Sequence, residues 1–311
     1  MDDPITYRFE TINDPLTPSF NGLTFNNLQG INNFGQIDGF YGSGQAGDPN
    51  KGYLLTHGTF TPENFPGSAQ TQANGLNDLG IHVGYFYKTD NGVAFDNQFG
   101  FYESGGVFHE VNNPNTPTAA EAAKAGVLVE NQLLGVNDLN IAVGFFNDIN
   151  GNSHGYTYNI NTGKFSADIN DPNAVSTVAA AINNFGEIAG FYTDSGGVIH
   201  GFLDNRGHFS TVNAPGASET ELLGINDFGI AVGFDMVNGA MHGIVFNSHT
   251  GKFTTLDDPH GIGTTTLNGI NDLGQIVGFY VDSHGNTDGL LATPNLIGIP
   301  GVGHMMHVGI M

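Results

Sequence analysis

His82, Asp38 and Asp235 are the residues of this chain whose types could do acid–base chemistry and whose positions set them apart. An imidazole that titrates near neutrality beside a carboxylate is the pairing that general acid–base catalysis uses, one group taking a proton while the other gives one. Each of the three breaks a repeat. His82 stands where Ile37, Ala142, Ile188, Ala231 and Ile276 stand in equivalent segments, and Asp38 replaces an apolar residue matched by Val83, Val143, Ala189, Val232 and Val277. Asp235 replaces an aromatic matched by Tyr41, Phe86, Phe146, Tyr192 and Tyr280. An ionisable group in such a position loses solvation, so it must find a partner or shift its pKa. Two readings stay open: a catalytic or ligand site, or hydrogen bonds private to those units. His109, Glu110 and Glu121 are further candidates for ligand binding. The first two lie on a strand expected to face solvent, where an ordinary charged surface is the plain alternative.

The repeat that makes these departures visible is GINDxG. Its forms are Gly30-Ile31-Asn32-Asn33-Phe34-Gly35, Gly75-Leu76-Asn77-Asp78-Leu79-Gly80, Gly135-Val136-Asn137-Asp138-Leu139-Asn140, Ala181-Ile182-Asn183-Asn184-Phe185-Gly186, Gly224-Ile225-Asn226-Asp227-Phe228-Gly229 and Gly269-Ile270-Asn271-Asp272-Leu273-Gly274. The first Asn recurs at 32, 77, 137, 183, 226 and 271, a period of 40 to 50 residues broken once. Such a period marks a propeller or an array of stacked units. In the fourth unit, Ala179 to Asn183, Glu187 to Tyr192, His200 to Leu203 and Phe209 to Asn213 read as four strands bounded by Asn, Asp and Gly turns. That is the content of a four-stranded antiparallel blade.

The sixth unit lacks its fourth strand after Asp288-Gly289-Leu290-Leu291. The missing piece lies at the other end, where Phe9-Glu10-Thr11-Ile12-Asn13-Asp14-Pro15 matches Phe253-Thr254-Thr255-Leu256-Asp257-Asp258-Pro259. The sequence therefore predicts an all-β, six-bladed propeller over 1–292, closed by an N-terminal strand completing the last blade, with a tail over 293–311. Closure removes two exposed sheet edges. The GIN strand is then innermost, and the small residues before it sit where strands crowd. The repeated Asn reads as a turn residue before it reads as a ligand. His154, His200 and His242, each before a Gly, read as partners in buried hydrogen bonds.

The one long interval holds an insertion over about 115–127, in which Thr118 and Glu121 form a capping box and Gly126 a helix stop. This helix is expected on the long-loop face, where it could cover the channel mouth or merely decorate it. Other motifs are thin. Gly42-Ser43-Gly44-Gln45-Ala46-Gly47 fits GxGxxG without a following helix pattern. Asp148-Ile149-Asn150-Gly151-Asn152 and Asp282-Ser283-His284-Gly285-Asn286 have the composition of calcium loops but lack their spaced carboxylates, and plain turns explain both. The tail Gly303-His304-Met305-Met306-His307 could hold a soft metal.

Composition narrows the partners. Seven basic against 30 acidic residues give a net charge of -23, which repels phosphate backbones and anionic membranes and argues against a nucleic-acid partner. The same oxygen excess would suit calcium as a cofactor, although an acidic solvated surface needs none. Absence of cysteine excludes disulfides and thiolate chemistry. No apolar run reaches membrane-spanning length, and the start Met1-Asp2-Asp3-Pro4 lacks a signal peptide, so an exported protein would be represented by its mature form.

The run His200-Gly201-Phe202-Leu203, with Phe209 to Ala217 and Gly224 to Gly233, resembles the bacterial extracellular repeat family often called HAF, over roughly residues 5 to 292. The resemblance implies an exported β-propeller, extracellular or periplasmic, and brings no catalytic residues. The preferred reading is a binding or surface module that holds a small polar ligand, a glycan or a protein by its long-loop face. The alternative is a hydrolase or lyase at the channel mouth using His82 with Asp38 or Asp235.

Overall fold

The computed structural model describes residues 5–44, 49–90 and 93–295 of the 311. The GxGxxG segment lies partly, and the His-Met tail wholly, outside the described residues. Units two to five each fold as one antiparallel four-stranded sheet. In the fourth unit the strands are Ala174–Ile182, Glu187–Asp194, Ile199–Asn205 and His208–Val212. They outrun the apolar stretches of the sequence because backbone pairing continues into polar residues, from Ile182↔Ile188 out to Ala174↔Asp194. A bulge between Ala179 and Ala181 lets the inner strand bend.

Units two to five form four separate sheets, while units six and one share one eight-stranded sheet, joined by the single parallel pair Phe25↔Thr287. As the repeat match requires, the N-terminal strand Tyr7–Thr11 lies antiparallel to Thr287–Pro294, with Phe9 opposite Ala292.

The inner strands converge. A Cβ on Gly30 would come within 2.9 Å of Gly75 Cα, one on Gly75 within 3.1 Å of Gly135 Cα, and one on Gly269 within 3.2 Å of Gly30 Cα. These positions are small because strands of neighbouring units meet there. The second strand meets the same limit: a Cβ on Gly233 would lie 1.9 Å from the Glu221 carbonyl oxygen.

The core lies between sheets, and one set of four positions recurs at each contact. Two come from the leading unit, in its second strand and at or just past the end of its fourth, and two from the following unit, in its second and third strands. Units two and three bring Val83, Val111, Ala142 and Tyr158 together, and units four and five bring Ala189, Val212, Ala231 and Phe246. Units five and six contribute Val232, Leu256, Ile276 and Ala292; units six and one contribute Val277, Ile12, Ile37 and Leu55. Between units three and four the set is Val143, Ile169 and Ile188, with Asp204 at the fourth position. Burying one such aliphatic side chain stabilises the fold by about 1.5–3 kcal/mol.

The insertion contains one helix, Ala119–Ala125, with the capping box Thr118–Glu121 and Gly126 at φ 76° as its stop. Among the described residues no helix is long and apolar enough to cross a membrane.

Candidate functional site

Three places could carry chemistry: the ring of turns at the inner strand ends, the contact between units one and two, and the surface around the inserted helix.

The turns build a ring of hydrogen bonds. In each, the first Asn accepts from two backbone N–H groups of its own turn; Asn183 Oδ1 takes Phe185 N at 3.1 Å and Glu187 N at 2.9 Å. Its Nδ2 then donates to the carbonyl of the equivalent Asn in the next unit. The run is Asn32 to Asn77, Asn77 to Asn137, Asn137 to Asn183, Asn183 to Asn226, Asn226 to Asn271 and Asn271 to Asn32, at 2.9 to 3.2 Å. The next residue makes a parallel set, each backbone N–H donating to a side-chain oxygen one unit on, from Asn33 to Asp78 through Asp272 to Asn33. The turn reading holds, and the turns also join unit to unit. Asn183→Ala deletes the one acceptor that two backbone N–H groups share and one interunit donor, and should cost about 2–4 kcal/mol in denaturant melts. A variant that melts like the parent would contradict this bonding.

Inside the ring is a cavity of about 80 Å³ lined by these Asn and by Asp78, Asp138, Asp227 and Asp272. It admits a few waters or the tip of one side chain, and is too small for a sugar ring. Around it stand Phe34, Leu79, Leu139, Phe185, Phe228 and Leu273, the fifth residue of every repeat, each between 60% and 69% exposed. Beside Phe185 a groove of about 590 Å³ opens between units four and five, reaching Glu187, His208 and His249.

At the contact of units one and two, all four recurrent positions are ionisable. They hold Asp38 and Glu63 from unit one and His82 and Glu103 from unit two, exposed 0%, 8%, 5% and 6%. The structure therefore brings Asp38 and His82 to one seam. It adds two carboxylates that the reading of the second strand missed. The same comparison would have found them: Glu63 stands where Ile12, Val111, Ile169, Val212 and Leu256 stand, and Glu103 where Leu55, Tyr158, Phe246 and Ala292 stand, with Asp204 of unit four the one other acidic residue at that position.

Asp38 Oδ1 accepts from Gly30 N at 2.8 Å, and Oδ2 has no hydrogen-bond partner. Glu63 Oε2 and His82 Nδ1 lie 3.5 Å apart without a hydrogen bond. Glu103 lies directly across the strand pair from His82, and one of its oxygens accepts from the Gly106 N–H. Burial pushes the Asp38 carboxyl up to about 8 against the pull of the Gly30 N–H. Burial, with Asp38 and Glu103 nearby, pushes Glu63 up to about 8, and burial pulls His82 down to about 4. With only these residues present, both members of the Glu63–His82 contact are neutral near pH 7, and no ion pair forms there.

Asp235 lies elsewhere, on the fifth unit, paired in register with His242. Burial raises its carboxyl while His242 pulls it back, and Oδ1 has no partner. His242 Nδ1 meets Asp257 Oδ2 at 2.8 Å, as His154 meets Asn170 at 3.1 Å and His200 meets Asn213 at 3.0 Å. The recurrent histidines thus have structural partners as expected, but at partly exposed rather than buried positions.

His109 stacks on Tyr102 with ring centroids 4.5 Å apart, and Glu110 meets Lys88 Nζ at 2.7 Å. Glu121 spends its Oε2 on Thr118 N and Oγ1, which holds its carboxyl below the usual range. Asp148 and Asp282 each accept two backbone N–H groups of their own turn at 2.8 to 2.9 Å, the plain-turn role. Because strands alternate in direction, the helix, which links a fourth strand to the next first strand, lies at the sheet edge opposite the Asn turns. It does not lie over the Asn/Asp cavity.

No family model and no curated protein matches the sequence. Solved structures share its fold. TolB from Acinetobacter baumannii gives a TM-score of 0.53 at 14% identity, over 75% of this chain and 54% of TolB, so the chain spans about half the length of that protein. A protein of unknown function from Dyadobacter fermentans gives 0.53 at 11% identity, over 91% of this chain and 98% of its own. A mutant of Aleuria aurantia lectin in complex with α-methyl-L-fucoside gives 0.50 at 12% identity, over 90% of this chain and 96% of the lectin. At such identities the likeness is one of fold, and the chain has an all-β fold of the β-propeller type.

Proposed function

We propose that the chain is a closed six-bladed propeller acting as a non-enzymatic binding module, with its partner docked on the face of the Asn turns. The observation that carries this is the rim of Phe34, Leu79, Leu139, Phe185, Phe228 and Leu273 around an acidic cavity. Six large apolar side chains left in water at one repeated position cost solubility, and contiguous exposed apolar surface marks interaction sites. The chemistry fits a protein segment with apolar residues for the rim and a basic group for the Asp-lined cavity. The groove beside Phe185 gives the segment a way out. A glycan would use the same Phe faces and Asn groups. The unit-to-unit hydrogen bonds, returning from Asn271 to Asn32, support closure. Membership in the extracellular repeat family, and an extracellular or periplasmic site of action, belong to this proposal.

Moving the site here from the long-loop face follows from exposure and geometry: Glu121 is engaged in its cap, and the rim has no counterpart of such regularity around the helix. The acid–base alternative would need a substrate to reach His82 and Asp38, which are sealed between two sheets. The test is a display library of peptides and a glycan array, probed with the parent and with Phe34→Ser/Phe185→Ser/Phe228→Ser. The parent should retain peptides with apolar residues flanking Lys or Arg, and the variant should lose at least about tenfold in affinity with an unchanged melting point. Equal binding by both proteins would return the site to the other face.

A further inference from the structure

We propose that the contact between units one and two is a metal site, in which Glu63, His82 and Glu103 hold one divalent first-row transition ion. Among the described residues, a carboxylate oxygen of Glu63, a ring nitrogen of His82 and a carboxylate oxygen of Glu103 all lie within 4.8 Å of one another. The 3.5 Å between Glu63 Oε2 and His82 Nδ1 is long for a hydrogen bond. It matches the edge of a tetrahedral site, since metal–ligand bonds of about 2.1 Å place ligands ~3.4 Å apart. Both atoms are without hydrogen-bond partners on residues more than nine-tenths buried. A proton shared by Glu63 and His82 would satisfy that pair and leave Glu103 outside it. A cation partners all three at once.

Contacts of the surrounding fold hold the ligands in place. Glu63 is fixed by its backbone N–H to the Gly52 carbonyl at 2.8 Å, and Glu103 by the Gly106 N–H on one oxygen, which frees the other. His82 and Glu103 face each other across one strand pair, so their spacing is set by the sheet. Asp38, with Oδ2 unpartnered, brings a further carboxyl group to the seam.

The donor set selects the ion. Two carboxylates and one imidazole neutralise a divalent charge and suit zinc or its first-row neighbours, whereas calcium asks for six to eight oxygens and copper(I) for sulfur. Because the seam is sealed, the ion would act as a clamp between two sheets, at the place where the other contacts of the fold are closed mainly by apolar side chains, with Asp204 the one acidic exception.

The experiment uses the full chain, stripped with a chelator and titrated with Zn2+, Ca2+ or Mg2+. Zinc retained after gel filtration is counted by elemental analysis, and melting temperature is followed in parallel. One zinc per chain and a rise of at least ~5 °C are expected with Zn2+, and less than about 1 °C with Ca2+ or Mg2+. His82→Ile and Glu63→Val place residue types found at these positions in other units, a cooperative melt of each metal-free variant checks that it folds, and both should lose the bound zinc and the rise. His304→Ala/His307→Ala should keep both, which separates the seam from the tail. The proposal is overturned if stripped protein retains no zinc, if His82→Ile retains it with the same rise, or if Ca2+ reproduces the shift.

Discussion

A chain lacking residues 1–14 should fail to fold as a cooperative unit and should accumulate as aggregate. The deleted segment contains the strand Tyr7–Thr11, paired with Thr287–Pro294 in the eight-stranded sheet from Tyr7↔Pro294 to Thr11↔Leu290. Its loss strips Tyr7 and Phe9 from one apolar cluster and Ile12 from the next. These three side chains are partly buried, so each contributes less than the about 1.5–3 kcal/mol of full burial, yet together they are a sizeable part of the about 5–15 kcal/mol that holds a typical domain. It also deletes the bond Asn13 Nδ2 to Asp288 Oδ1 at 2.7 Å, which ties the ends of the chain together, and the bond Asp14 N to Asn26 Oδ1 at 3.0 Å, which anchors the first unit. The newly exposed edge at Thr287–Pro294 is a template for pairing with other chains. Circular dichroism melts and light scattering read the outcome, and a peptide of residues 5–17 added in trans should restore part of the transition. A truncated chain that melts as sharply as the parent would mean that the segment is ornamental.

That strand was legible because it matches Phe253 to Pro259 residue for residue, and a repeat that lacks one strand needs one from somewhere. The helix was legible for a local reason too: Thr118, Glu121 and Gly126 specify both of its ends without help from the rest of the fold. The seam was harder. Alternation along a strand says that Asp38 and His82 face opposite sides of their own sheets, but not which neighbour each side meets. Only the stacking order shows that unit one turns its Asp38 face to the His82 face of unit two. Glu63 and Glu103 lie outside the segment where the repeat is strongest, and their departure from the pattern shows only when all four strands are aligned. The interunit bonds of the second turn residue could not be read at all. Asn and Asp are ordinary in turns, and nothing local says that Asp227 takes its neighbour's backbone N–H from Asn184.

Restoring the repeat at the seam should make the metal-free protein more stable. The variant Asp38→Val/Glu63→Val/His82→Ile/Glu103→Leu installs aliphatic residues of the kinds that fill this set between units six and one, where Val277, Ile12, Ile37 and Leu55 pack together. It removes buried polar atoms that have no hydrogen bond, namely Asp38 Oδ2, Glu63 Oε2 and His82 Nδ1. Replacing a buried ionic cluster with well-packed apolar side chains is commonly neutral or stabilising by about 1–4 kcal/mol, whereas removing one member leaves the others unpaired. Asp38→Val alone deletes the acceptor that Gly30 N uses, so it should stabilise less than the full set or destabilise. In chelator the fourfold variant should therefore melt several degrees above the parent, by roughly 2–4 °C for each kcal/mol gained. Evolution would gain that stability with ordinary aliphatic residues, and five other contacts of the chain are built largely from them. Ionisable groups at all four positions of one seam thus carry an expense that folding alone does not explain, and a ligand that partners them does. If the fourfold variant melts below the parent in chelator, the four side chains already satisfy one another, and a purely structural network accounts for the seam.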